Sequence, residues 1–402
     1  MTDLSPIERA AIERAAASPM FEQVQAWTAV NSGSRNLAGL AAMADLLASA
    51  FSKLPGDVAL AEAEPVENVS ADGKVEAIEH GEHLCLRVRP HAPMQMLFTG
   101  HMDTVFGADH PFQKGVLLPD GRYNAPGAAD MKGGLAVMLA ALQAVEASPL
   151  ASRFGYEIVI NSDEEVGSFS SAAQLARAAR GKLAALTFEP ALPDGTLAGA
   201  RGGTGNFSLV VHGRSAHAGR NPEDGRNALV AAAALAVRLA DAKAPGLSVN
   251  PARIDGGGPN NVVPDLAILR VNFRPRDASA IACAQAALDA AIADIAAAHD
   301  VRIALHGSFN RPPKPIDPQS EKLFALVKQA GTDLGLAIAW KATGGVCDGN
   351  NIAACGVPVV DTMGVRGGAI HSADEYLIPE SLGERAALSA LTILRIIERG
   401  LT

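Results

Sequence analysis

The chain has no basic surplus. Against 34 Lys and Arg stand 43 Asp and Glu, a net charge of −9, so the electrostatic footprint of a nucleic-acid binder is missing. No run of like charges is long enough to act as an interaction tail. No uninterrupted apolar stretch of about 18 residues occurs, so no membrane span is expected. The opening stretch MTDLSPIERAAIERAAASP is acidic and alanine-rich, and no basic segment leads into an apolar one. No secretory signal is therefore expected, and the expected compartment is the cytoplasm. Cysteine is scarce: Cys85, Cys283, Cys347 and Cys355 form no CxxC pair, which predicts free, mostly buried thiols in a reducing compartment. No G-x-G-x-x-G follows the first strand and no G-x-x-x-x-G-K-[ST] occurs, which argues against a nucleotide-binding α/β enzyme.

What remains is a globular composition, 48% hydrophobic, over 402 residues, enough for about two to three domains. Strands are predicted at Leu84–Val88, Met94–Thr99, Tyr156–Ile160 and Leu183–Phe188. Helices are predicted at Gly134–Val145 and Gln174–Ala179. That alternation predicts an α/β sheet covered on both faces. From Asn206 the pattern changes to β-α-β-β-α-β: strands at Phe207–Val211, Leu247–Ile254, Leu266–Phe273 and Val301–Leu305, with helices at Arg226–Ala242 and Ala278–Ala298. In Leu266–Phe273 the apolar Ala267, Leu269, Val271 and Phe273 alternate with polar Arg270 and Asn272. The order is that of a ferredoxin-like unit. Its flanks, Arg201-Gly202-Gly203-Thr204-Gly205 and Arg311-Pro312-Pro313-Lys314-Pro315, read as hinges. The predicted organisation is therefore 1–204 and 313–402 as one α/β domain, with 205–312 inserted. The larger domain resumes with a helix at Glu321–Ala330, a strand at Val357–Thr362 and a final helix at Leu382–Arg399.

The chemistry sits where predicted strands end. His101 and Asp103 follow the strand through Thr99, and a carboxylate beside a liganding imidazole fixes its tautomer. Asp130 lies between two glycine-containing strings, APG and KGG, where backbone can approach a site closely. Asp163-Glu164-Glu165 ends the strand through Ile160, and adjacent carboxylates can divide the work of holding a metal and activating water. Glu189 ends the strand through Phe188, and His371 lies in GGAIHSADEYL. Each has a plainer reading alone: a loop histidine, a helix cap, an acidic turn, a solvated strand end. Gathered at one sheet edge, two histidines and several carboxylates would be intolerable without cations and would suit a pair of zinc ions. Asp348 and Gly345 could bind substrate or cap a helix. His217 looks chemical because of its loop of small and polar residues, HGRSAHAGRNPEDG. His80, His83, His91, His110, His212, His299 and His306 read as structural or surface residues.

The strings GHMDTV, APGAADMKGG, SDEEVGS, FEP, RSAHAG, NNVVP and the His371 segment occur in an order that resembles the M20-type metallopeptidases. That group includes glutamate carboxypeptidases, acetylornithine deacetylases and aminoacylases. The resemblance covers nearly the whole chain. It implies a mixed-sheet zinc-peptidase domain with an inserted ferredoxin-like α+β lid and dimerisation domain, and hence a homodimer. It implies two Zn2+, replaceable by Co2+ or Mn2+, with Asp130 bridging both. His101 and Glu189 would complete one site, and Glu165 and His371 the other. Glu164 would be the general base and Asp103 would orient His101. His217 would polarise the scissile carbonyl, often in the partner subunit's site. Asn261 and Arg274 would hold the substrate carboxylate, for which a guanidinium is well suited. The substrate would be a small peptide or N-acyl amino acid. The FEP glutamate resembles the carboxypeptidase branch, with deacylase and dipeptidase as alternatives, and a catalytically silent carboxylate binder as a remote one. Relatives often carry a cis peptide at the Asp130–Met131 position. Two departures stand out: Ala125 where the family often has Gly, and Asn272 where it often has Asp before Arg274.

Overall fold

The computed structural model describes residues 4–401. The first three residues of the predicted N-terminal helical stretch and residue 402 lie outside them. Three helices open the described chain, Pro6–Ala16, Met20–Thr28 and Leu37–Phe51. The first starts at a capping box in which the Ser5 hydroxyl accepts from Glu8 N and the Glu8 carboxylate accepts from Ser5 N.

The central sheet has six strands in the order Asp57–Ala61, His83–Val88, Phe154–Asn161, Met94–His101, Ala184–Thr187 and Val359–Val360. The last four run parallel to one another and the first two pair antiparallel, which makes the sheet mixed. Phe154–Asn161 is buried at every residue, as expected for a strand covered on both faces. The helix Gly133–Glu146 packs against the final helix, Glu380–Arg399, and both contribute to the main core. In open α/β sheets ligands bind beyond the carboxyl ends of parallel strands. Here those ends carry His101, the segment after Asn161, Glu189 and Asp361.

A second sheet is wholly antiparallel, in the order Leu247–Gly256, Leu266–Pro275, Thr204–His212, Arg302–Arg311. That is the ferredoxin-like arrangement, with helices Ala228–Ala240 and Ala278–His299 packed on the sheet. Ala267, Leu269, Val271 and Phe273 are all buried, as the alternation predicts. Ile268, on the other face, is buried too, because the hairpin Val66–Val69/Val75–Ile78 lays Val69 over it and Val210. That hairpin was not predicted.

Other differences concern ends. The strand expected over Val357–Thr362 shrinks to Val359–Val360, although Val357 remains buried by its neighbours. The strand from Arg302 runs on to Arg311. Helices Ala128–Glu146 and Ala278–His299 are apolar and long enough to cross a bilayer by length and composition. The first is almost wholly buried in the core, and the second carries exposed Asp289 and Asp294. All four cysteines are free, but only Cys347 is fully buried and Cys283 is exposed, against the expectation of mostly buried thiols.

Candidate metal centre

His101 is the last residue of its strand and is buried. Its Nδ1 lies 3.0 Å from the Asp103 backbone carbonyl and 3.4 Å from the Asp103 carboxylate. A carbonyl oxygen only accepts, so Nδ1 carries a proton and Nε2 is the nitrogen available to a cation. That Nε2 is 3.1 Å from Asp130 Oδ1 and 3.8 Å from Glu189 Oε2. On the other side, His371 Nε2 is 3.3 Å from Asp130 Oδ2 and 3.1 Å from Glu165 Oε2. Asp130 thus presents one carboxylate oxygen to each histidine. Glu164 joins the first group: single donor atoms of His101, Glu164 and Glu189 all lie within 4.8 Å of one another.

Local structure explains these positions. Asp130 sits in a wide turn, Ala128–Lys132, with a cis Asp130–Met131 peptide. A Cβ on Gly134 would come within 1.9 Å of the Phe188 carbonyl, so only glycine lets the next helix start hard against the strand end that carries Glu189. His371 adopts a left-handed backbone, φ 63°, in the loop between Gly367–Gly368 and Tyr376–Leu377.

The electrostatics test whether metal ions fit. Burial pushes the Glu164, Glu165 and Glu189 carboxyls upward, Glu189 to about 7. Burial would lower the His101 pKa, but Asp103, Asp130 and Glu189 outweigh it and raise it well above the usual range. Hydrogen bonds to Asp130 and Glu165 lift His371 to about 11. For Asp130 burial acts upward, yet His101 and His371 hold it well below the ordinary carboxylate range. Without cations the cluster is therefore balanced by protons on the imidazoles and on part of the carboxylates, together with the Arg311 guanidinium beside Glu164. Those protons occupy the positions that cations would take, and a mixed N/O donor set of this kind suits zinc.

Around the donors lies a supporting layer that sequence reasoning caught only in part. Asp103 accepts from Glu164 N, Glu165 N and the Ser34 hydroxyl. Its carboxylate therefore orients the Glu164–Glu165 turn as well as flanking His101. Glu375 was missed. It is buried, and it accepts the backbone N–H groups of Gly127, Ala129 and Asp130, holding the Asp130 turn. Arg311 was missed as well, although it stands in a segment read as a hinge. Its Nη2 is 2.7 Å from the Glu164 carboxylate and also donates to Glu164 O and the Ser168 hydroxyl. Behind it, Arg201 grips Asp361 with two hydrogen bonds, at 2.7 and 3.1 Å. Lys314 Nζ lies 2.9 Å from the same carboxylate. Arg201 and Lys314 also exchange backbone hydrogen bonds, so the two crossings between the sheets are paired neighbours.

A cavity of about 360 Å³ opens from the donors, lined by Asp130, Glu164, Glu165, Glu189 and His371 and also by Arg201, Thr343 and Gly345. Asp348, expected to bind substrate, does not line it. It is buried and accepts from Ser168 and Asn161, with Arg311 3.7 Å away, so it belongs to the support. His217, Asn261 and Arg274 do not line the cavity either. His217 and Asn261 are exposed on the second sheet's loops, where Asn261 O accepts from Ala218 N. Arg274 lines an adjoining cavity that shares Arg201, Ala342 and Thr343 with the first. Its Nε donates to Asn272 Oδ1 at 2.9 Å, so the amide at the departing position still supplies an acceptor.

A sequence profile of Peptidase family M20/M25/M40 matches residues 97–395. Carboxypeptidase G2 of a Pseudomonas species is 29% identical over 329 residues, 78% of this chain and 77% of that protein. A succinyl-diaminopimelate desuccinylase of Burkholderia lata is 30% identical over 302 residues, 70% of this chain and 78% of that protein. Among solved structures, a Staphylococcus aureus tripeptidase superposes with a TM-score of 0.70 at 22% identity, covering 96% of this chain and 99% of that one. The profile match, taken with the gathered histidines and carboxylates, means that the chain belongs to peptidase family M20/M25/M40 and is a metallopeptidase or amidohydrolase of that family.

Proposed function

We propose that the chain is a dizinc amidohydrolase that releases a C-terminal amino acid from a small peptide or an N-acyl amino acid. The observation that carries this reading is Asp130, whose two oxygens face His101 and His371 separately. His101, Asp130 and Glu189 would hold one ion, and His371, Asp130 and Glu165 the other. Bound there, the ions would acidify water and polarise the scissile carbonyl. Glu164, buried at the cavity wall, takes a proton from the attacking water on its carboxylate and passes it to the leaving nitrogen. Asp103 and Arg311 hold that carboxylate's turn in place. Residues 205–312 act as the inserted lid and dimerisation domain, and His217 reaches the carbonyl in the partner's site. Arg274, at the adjoining cavity, grips the substrate carboxylate together with Asn261. A carboxypeptidase and a desuccinylase among the relatives support the two closest readings, C-terminal release and deacylation. Glu189 in its FEP string favours the first.

Glu164→Gln should bind as much zinc as the parent by elemental analysis and lose roughly 10²- to 10⁴-fold in turnover. Near-parental rates would remove Glu164 as the base, and active protein that carries no metal would remove the centre. Light scattering should find a dimer, and a strict monomer would end the role of His217 in a partner's site.

A further inference from the structure

Resting on the hydrolase reading above, we infer that the site takes substrates with a bulky apolar group directly beside the scissile amide. The cavity has two unlike walls. One is the donor cluster. The other is aliphatic and includes Pro190, Leu192, Val346 and Ile370. Leu192 and Ile370 are 46% and 41% exposed, among the large hydrophobic side chains left open to solvent, and both open into this cavity. A single exposed aliphatic residue on a protein surface needs no explanation, but two that converge on one concave site mark a place where apolar surface is to be covered.

Chain geometry ties these two residues to the chemistry. Ile370 immediately precedes His371 in the left-handed loop, and Leu192 follows Glu189-Pro190 in a turn closed by Leu192 N donating to Thr196 O and Gly195 N donating to Leu192 O. A group covering both lies within three residues of the donors along the chain and in the same cavity, and so beside the bond to be cut. The cations that line the cavity do not turn this wall into an anion site. Arg201 spends three of its five N–H groups on Asp361 and the Gly345 carbonyl, and the Asp361 carboxylate offsets its charge. Lys341 is exposed, where water weakens its pull on an acidic group. The wall therefore favours a leucine-like group over an aspartate-like one of similar size.

Calorimetric titration of the zinc-loaded protein with leucine hydroxamate and aspartate hydroxamate reads this directly, because both probes bring the same metal-binding head. Leucine hydroxamate should bind at least tenfold more tightly, and each methylene added along an alkyl series should tighten binding about fourfold. Leu192→Asp should cut that preference at least fivefold. Leu46→Asp, an exposed site on the helix Leu37–Phe51, should leave it unchanged. Equal or tighter binding of aspartate hydroxamate, or an unmoved preference in Leu192→Asp, would overturn the inference. Turnover of matched dipeptides and N-acyl amino acids separates this claim from the one beneath it. Apolar-selective binding with no hydrolysis of any dipeptide or matched N-acyl amino acid would sink the hydrolase reading and leave the pocket assignment standing. Hydrolysis that prefers acidic partners would do the reverse.

Discussion

Replacing Asp361 by Asn should destabilise the protein by about 3–5 kcal/mol, because it leaves two buried cations facing one another without a counter-charge. Asp361 is fully buried, and Arg201 and Lys314 both contact its carboxylate. Asparagine keeps the shape and loses the charge. An independent figure comes from proton binding. Burial acts to raise the Asp361 pKa, but Arg201 and Lys314 override it and hold it at about 2, against 3.8 ordinarily. At about 1.36 kcal/mol per pH unit, that gap is worth about 2.4 kcal/mol. The sign follows from the depressed value: the stabilisation is present above pH 3.8 and is lost as pH falls toward 2. Urea unfolding at pH 7 should therefore separate parent and variant by more than the proton figure, since the variant also leaves the cations unpaired. The separation should hold down to about pH 5 and shrink below about pH 4. Adding Lys314→Met to the variant should recover part of the loss. A variant within about 1 kcal/mol of the parent at pH 7 would refute the argument, since breaking a buried pair is expected to cost more.

Arg311→Met should lower stability by about 3–5 kcal/mol for the same reason, with Glu164 and Asp348 left buried together, and should reduce kcat more than it raises KM. Arg311→Lys should restore part of the stability, and urea unfolding with steady-state kinetics on the proposed substrates would show it; unchanged unfolding in Arg311→Met would contradict the pairing. Glu375→Gln turns an amide N–H toward backbone donors at the Asp130 turn, an unsatisfied contact costing about 1–3 kcal/mol. It should also weaken zinc about 10- to 100-fold in competition with a chromophoric chelator, and unaltered affinity would show that the Asp130 turn holds without it.

Much of the frame was legible in the sequence. Strands buried on both faces, such as Phe154–Asn161, read as plain apolar runs, and the alternation in Leu266–Pro275 gave its inner face correctly. Donor candidates stood out only together, since each alone reads as a solvated strand end, a cap or a loop residue. The supporting residues were illegible for a physical reason. Arg311, Asp361 and Glu375 act through partners 147, 160 and some 245 positions away, and no local pattern marks such a pairing. Asp348 misled because a polar residue after two glycines resembles a ligand-binding loop, whereas its carboxylate is absorbed by Ser168 and Asn161. The hairpin at Val66–Ile78 was hidden because its residues alternate too weakly, and only Val69 is buried deeply.

The paired crossings at Arg201 and Lys314 have a topological consequence. Because these residues are hydrogen-bonded neighbours, the chain leaves and re-enters the larger domain at one place. To the rest of the molecule the intervening hundred or so residues are the tip of a very long hairpin. Exchanging that tip for a short turn would keep the strand pairings of the central sheet but would take Arg311 away from Glu164 and Ser168.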